Sequence, residues 1–494
     1  MGKKRDLRFV VIGAGMAGIL SGIKLLEAGF KNICIYEKAD KIGGTWRENT
    51  YPGLTCDVAA HAYTYSFEPN PDWSHYLAQG GEIQEYFERT TTKYGVDKLI
   101  KFNEEISVCE FVDGRWLIET RSGIQDEADI VIAATGVLHV PSYPNIPGTE
   151  SFKGAIFHSA RWDHSVPLDG QRIGIIGTGS TGVQIVSALS TRAGELTHFQ
   201  RTAQWIMPVE NPAFSEEQKE AFRQDAALLK HMQNEPDYID AVNRFSHGVV
   251  NPESDEMHEI EAIVLQNLED NVGNPELREK LRPNYRAACK RLVFSPDYYQ
   301  AIQRPSVSLV TDGIEAIEPE GVRTQDGQLH RFDVLVLATG FQVDRFMRPM
   351  EIIGRGGKTL EEAWANGPSA FMSISIPEFP NLFMLDGPNG PVGNFSLIEI
   401  AEYQWRYISQ LIELVHSGQF REVSASQQAM DIFERARVAA ARHTIFASGC
   451  QSWYLDANGV PATWPWDRQH FLDEMETPRL EAFDLVPGEL LIFQ

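Results

Sequence analysis

Two short glycine-rich stretches carry the first chemical signal in this chain. Gly13, Gly15 and Gly18 and then Gly177, Gly179 and Gly182 repeat one GxGxxG spacing. Between a buried strand and a helix, such a stretch binds a pyrophosphate. The first glycine permits the tight turn, the second lets phosphate oxygens reach backbone N–H groups, and the third lets the helix pack on the strand. Each unit then offers an ionisable residue at a matched offset: Glu37 stands 19 residues past Gly18, and Arg201 stands 19 residues past Gly182. A carboxylate accepts hydrogen bonds from ribose hydroxyls and repels a 2′-phosphate, whereas a guanidinium fork matches that phosphate. The same seat thus reads as an acid in one unit and a cation in the other. The first unit is expected to take FAD and the second NADPH, with Thr202 beside Arg201. Met16, Ala17, Thr178, Ser180, Thr181 and Gln184 are expected to help bind the cofactors.

The elements that must position these residues are legible around them. Residues 7–12 form an apolar strand run, followed by the first glycine loop and a helical pattern to Ala28. Residues 172–176 form a second strand run, followed by the second loop and a helical pattern to Leu189. Each half closes on a strand buried on both faces and ending Ala-Thr-Gly, at residues 129–136 and 333–340. A single GxGxxG is weak, but two with matching closing strands make a strong case for an α/β fold with two Rossmann-like dinucleotide-binding domains. Residues 211–284 turn acidic and rich in Glu, Gln, Leu and Ala, which reads as a helical insertion in the second domain. Residues 379–386 read as a last strand and 396–415 as a long helix, both returning to the first domain. The expected partition is 1–145 with 375–494 for FAD, 146–210 with 285–374 for NADPH, and 211–284 for the insertion.

Composition narrows the function classes. At 494 residues the chain is long enough for two or three domains, and its net charge of −24 with no basic run argues against nucleic acid. The basic residues before the first strand could suggest a signal peptide. The apolar run is short and passes directly into the glycine loop, so a strand is expected. No apolar stretch is long enough to span a bilayer. The five cysteines form no CxxC pair, so no metal site is expected. Their scatter fits a reducing compartment better than a disulfide framework. Cys34 and Cys56 are too far apart in sequence for the flavin-linked cysteine pair of a disulfide reductase. The expectation is a cytoplasmic monomer or dimer.

Two further motifs bring a family into view. Phe152, Gly154, His158, Trp162 and Asp163 fit FxGxxxHxxxW followed by Pro or Asp at every fixed position. Gly43, Gly44, Thr45, Trp46, Tyr51, Pro52, Gly53 and Asp57 fit a longer motif that accompanies it. Both resemble the type I Baeyer–Villiger branch of the class B flavin monooxygenases, over residues 7 to about 345 and more loosely beyond. Related flavin N- and S-oxygenases usually end the first motif in Tyr or Phe, so Trp162-Asp163 leans to Baeyer–Villiger chemistry.

The resemblance implies an NADPH- and O₂-dependent enzyme that turns a ketone or aldehyde into an ester or lactone through a C4a-peroxyflavin. An anionic oxygen nucleophile in a water-poor cavity needs a fixed positive charge that cannot give up its proton. Lys290 and Arg291, before Tyr298-Tyr299, resemble the family's basic pair. Arg291 is thereby implied to be catalytic with Asp57 as its partner, and Lys290 to hold the NADPH phosphate. Gly44, Thr45, Trp46, Tyr63 and Val108 are implied around the flavin. Phe152, Gly154, His158, Trp162 and Asp163 are implied to couple the domains rather than touch substrate. A flavin N- or S-oxygenase, or a flavin redox protein without oxygenation, remains the alternative. The stretch Trp453 to Gly459 and Trp464-Pro465-Trp466 look like a branch other than the cyclohexanone-type enzymes, which leaves the particular carbonyl substrate open.

Overall fold

The computed structural model describes residues 4–393 and 395–488. Two five-stranded parallel sheets form its frame, and they repeat one another strand for strand. In the first, Phe9–Ile12 lies between Ile33–Tyr36 and Ile130–Ala133, with Ile100–Lys101 and Leu382–Met384 at the edges. In the second, Arg172–Ile176 lies between Glu195–Phe199 and Val334–Leu337, with Val307–Val310 and Ala155–His158 outside. The central strands are buried along their length because helices or smaller sheets cover both faces.

The duplication extends to single hydrogen bonds. The Asp129 carboxylate accepts the backbone N–H of Arg8 at 2.8 Å, and that of Asp333 accepts the N–H of Arg172 at 3.0 Å. Each aspartate thereby ties the start of a closing strand to the start of a glycine-loop strand. Each half also carries an antiparallel sheet just before its closing strand, built from Ile106–Val112, Arg115–Thr120 and Gln125–Ala128, or from Ile314–Glu318, Gly321–Thr324 and Leu329–Arg331. Helices Glu216–Gln224, Ala226–Gln233, Pro236–Val250, Asp255–Asn271 and Pro275–Lys280 fill the acidic stretch. Side chains of Ser215, Asp225, Ser254 and Asn274 cap four of them. Helix Leu397–His416 packs its apolar stripe on the first sheet. Among the described residues no helix is long and apolar enough to cross a membrane.

Cysteine usage departs from the sequence reading. Cys289 and Cys450 are joined in a disulfide across 161 residues of sequence, while Cys34, Cys56 and Cys109 are free and buried. Linear spacing could not reveal the pair, because only the packing of the C-terminal segment on residues 287–292 brings the two together.

Candidate active site

The two glycine loops open into one cavity of about 1270 Å³, larger than the roughly 300–1,000 Å³ typical of a pocket for one small ligand. The loops themselves are near copies. A Cβ on Gly13 would lie 2.6 Å from the Ala134 carbonyl oxygen, and one on Gly177 would lie 2.2 Å from that of Ala338. A Cβ on Gly18 would sit 1.9 Å from the Gly13 oxygen, and one on Gly182 would sit 2.0 Å from the Gly177 oxygen. Gly18 and Gly182 therefore serve helix packing and do not line the cavity. Gly15 and Gly179 do line it, and nothing lies within 4 Å of the Gly179 Cβ position. That is the open backbone approach a pyrophosphate needs.

The acid of the first unit is held in place by the backbone. Glu37 Oε2 accepts from Ala14 N–H at 2.8 Å and Oε1 from Ala39 N–H at 2.9 Å, leaving a buried carboxylate at the cavity edge. Its counterpart corrects the offset argument. Ile12 pairs with Tyr36, so Glu37 follows the last paired residue, and Ile176 pairs with Phe199, so Gln200 does. Gln200, not Arg201, occupies the seat equivalent to Glu37, and its side chain donates to the Lys280 carbonyl at 2.6 Å. The helices after the two loops differ in length, 12 residues against 10, so equal residue counts do not land on equal positions. Arg201 projects one residue further on, exposed and lining the same cavity as Thr202 and Lys290. Burial and the Arg201 charge together lower the Lys290 pKa, as expected where two cations share one small region. Such a pair suits a dianionic phosphate.

The longer motif lies where the two halves meet. Trp46 Nε1 donates to the Tyr63 hydroxyl at 3.1 Å, and the rings meet edge to face. Tyr51 donates to Gln184 Oε1 at 2.9 Å, and Gln184 Nε2 returns to the Thr55 carbonyl at 3.1 Å. The motif near the first loop is thus bonded to the helix of the second. In the middle of strand Thr55–Ala59, Asp57 Oδ2 receives Arg291 Nη2 at 2.5 Å. Both side chains line the cavity, and Asp57 is the first favourable charge acting on Arg291, holding its proton yet more tightly than usual against the opposing effect of burial. A guanidinium in this setting is a permanent cation fixed by one carboxylate.

Of the remaining expected residues, Met16, Ala17, Gly44, Thr45, Thr178, Ser180 and Thr181 line the cavity. Val108 does not: it lies in a strand paired with Glu351, and Ile106 reaches the cavity instead. The motif residues Phe152, Gly154, His158, Trp162 and Asp163 all stay outside it. His158 Nε2 meets the Gly340 carbonyl at 3.0 Å, while its Nδ1 accepts from Ala160 N–H at 3.0 Å. Burial lowers its pKa, so it serves as a neutral buried link from an edge strand to the second Ala-Thr-Gly. Trp162 packs on Phe157, and Asp163 accepts from Ser165. Next to them Arg161 pairs with Glu48 of the other motif.

Two cavity-side features escaped the sequence reading. Asp386 follows strand Leu382–Met384 at φ 51°, is buried with Oδ1 unpartnered, and lines the cavity. Burial pushes its carboxyl up to about 7. Tyr454 brings its hydroxyl to Arg291 from the far end of the chain. An Asp before Gly-Pro and an aromatic pair in a C-terminal loop were visible, but nothing local says that either folds inward.

Comparison with known proteins gives a consistent picture. Residues 6–215 match the profile of the flavin-binding monooxygenase-like family. An uncharacterised monooxygenase of Mycobacterium tuberculosis is 45% identical over 457 residues, covering 92% of this chain and 91% of that one. A Baeyer–Villiger monooxygenase of Streptomyces coelicolor is 34% identical over 495 residues, covering 97% and 93%. The crystal structure of cyclohexanone monooxygenase from Rhodococcus sp. Phi1 bound to NADP⁺ superposes with a TM-score of 0.86 at 26% identity, covering 98% of this chain and 99% of that one. Oxidised steroid monooxygenase bound to NADP gives 0.86 at 25% identity, covering 98% and 100%.

Proposed function

This chain belongs to the class B flavin monooxygenases of the Baeyer–Villiger type, and from that membership we propose that it uses FAD, NADPH and O₂ to convert a ketone or aldehyde into an ester or lactone. The observation that carries the reading is the Arg291–Asp57 pair, set in the wall of a cavity shared by both glycine loops.

The residues present suit both cofactors. Gly13 to Gly18, Glu37, Thr45, Trp46 and Tyr63 would hold FAD, and Gly177 to Gly182, Gln184, Arg201, Thr202 and Lys290 would hold NADPH. Bound FAD, reduced by NADPH and meeting O₂, supplies the oxygen nucleophile. The chain supplies the rest. Glu37 holds the ribose and excludes a 2′-phosphate from the first loop. Arg201 and Lys290 attract that phosphate to the second. Arg291 presents a fixed positive charge to the oxygen anion that develops on the substrate carbonyl, and it donates no proton at neutral pH. Asp57 orients Arg291 and compensates its burial. Apolar wall residues such as Phe395 and Leu397 keep water from the reacting carbonyl.

A panel of cyclic, linear and aromatic ketones incubated with the FAD-loaded protein, NADPH and O₂ tests the reading. Ester or lactone formation in step with NADPH consumption is expected. Oxidation of thioethers or amines with every ketone untouched would assign the chain to the N- or S-oxygenase chemistry instead.

A further inference from the structure

The segment that ends the cavity wall meets the stretch carrying Arg291 at two points. Cys289, one residue before Lys290-Arg291, is bonded to Cys450, whose Cα lies 6.2 Å away. Four residues past Cys450, the buried Tyr454 turns its hydroxyl toward Arg291. Gly393 shows how close the two groups come. A Cβ there would lie 2.1 Å from the Tyr454 hydroxyl oxygen and 3.1 Å from Arg291 Nη1, so both converge on one point of bare backbone. Arg291 Nη2 faces the other way, to Asp57 Oδ2. The guanidinium therefore lies between Asp57 and the nearby Tyr454 hydroxyl, groups from segments that are remote in sequence.

Tyr454 is itself held firmly. Its ring packs 4.5 Å from Phe446 and 4.1 Å from Trp453, and its carbonyl accepts from Ala462 N–H at 2.7 Å. Ala288, Leu292, Ile445, Phe446 and Tyr454 share one apolar cluster around the disulfide. Gln451, Ser452 and Trp453, between Cys450 and Tyr454, line the cavity.

We propose that Tyr454 is a positioning residue for Arg291, and that the Cys289–Cys450 disulfide keeps the segment carrying Tyr454 registered against the one carrying Arg291. Asp57 supplies the charge that tolerates Arg291, and Tyr454 fixes the rotation of the guanidinium about that ion pair. Without the hydroxyl, Nη1 is free to swing and the positive charge no longer meets the substrate oxygen in one geometry. Opening the disulfide loosens the same contact from further away. The reaction takes two electrons and two protons from a dithiol, breaks the S–S bond, and leaves two thiols and the oxidised reductant. The inference rests on Arg291 acting as described under the proposed function.

The test uses the full-length FAD-loaded protein. Mass analysis after alkylation in denaturant should find three reactive cysteines before reduction and all five after it. Five without reduction would overturn the tether. Tyr454→Phe removes a single oxygen atom. It should cut the ester formed per NADPH consumed by roughly tenfold, the size of a lost hydrogen bond to a charged group. Hydrogen peroxide should account for the missing product, while anaerobic flavin reduction by NADPH changes far less. Cys450→Ser should act in the same direction more weakly, dithiothreitol should reproduce it in the parent, and dithiothreitol should add nothing to Cys450→Ser. Unchanged ester yield in Tyr454→Phe would overturn the positioning role. Arg291→Met separates this result from failure of the underlying reading: if that variant still makes ester at the parent rate, the role of Arg291 itself falls.

Discussion

Replacing Asp57 with Asn keeps the shape of the site and removes the one carboxylate that Arg291 touches among the described residues. The contact is 2.5 Å from Nη2 to Oδ2, and the two side chains keep 30% and 26% of their surface, open to the cavity both line. With charge centres about 4 Å apart and an effective dielectric near 20, the Coulomb attraction is about 4 kcal/mol. Water in the cavity screens part of it, so a coupling of about 2 kcal/mol is expected, between an exposed pair and a fully buried one. A double-mutant cycle of Asp57→Asn with Arg291→Met, read by urea unfolding, measures that coupling. Asp57→Asn alone should destabilise more than the double variant, because it strands a guanidinium that the double variant no longer carries. The same substitution should slow ester formation about 10²–10³-fold, the usual cost of losing a preorganised electrostatic element, with a much smaller effect on flavin reduction by NADPH. A coupling below about 0.5 kcal/mol, together with normal ester yield, would refute the assignment of these two residues as one working pair.

Other expectations follow from the same geometry. Arg201→Gln should raise the KM for NADPH about 10–100-fold, the value of a charge-assisted bond to phosphate, and leave that for NADH nearly unchanged; equal effects in steady-state assays would place the phosphate elsewhere. Gly182→Ala puts a methyl 2.0 Å from the Gly177 carbonyl oxygen. It should weaken NADP⁺ binding by calorimetry while FAD content stays normal, since the first loop is untouched. Burial raises the Asp386 carboxyl to about 7 when folded, against about 3.9 for a free aspartate, so the folded state binds the proton more tightly. Stability should fall as pH rises through that window, by up to about 4 kcal/mol from this group. Asp386→Asn should remove that component from urea unfolding curves taken across the range, and an unchanged pH profile would count against the buried acid.

Much of this protein was legible before folding. The strand, glycine loop and helix of each half are local structures, set by sterics within about a dozen residues, and the third glycine meets the first within its own loop. The repeated closing strands were readable because a strand buried on both faces must be apolar throughout. What spacing could not reveal was how segments from different parts of the chain meet. Equal offsets placed Arg201 opposite Glu37, yet strand register put Gln200 there, since register follows the pairing and the helix length rather than a residue count. The disulfide, the approach of Tyr454 to Arg291 and the inward turn of Asp386 all arise from long-range packing. Local sequence decides which elements form. Only the closing of the core decides which side chains, hundreds of residues apart, share one wall of a cavity.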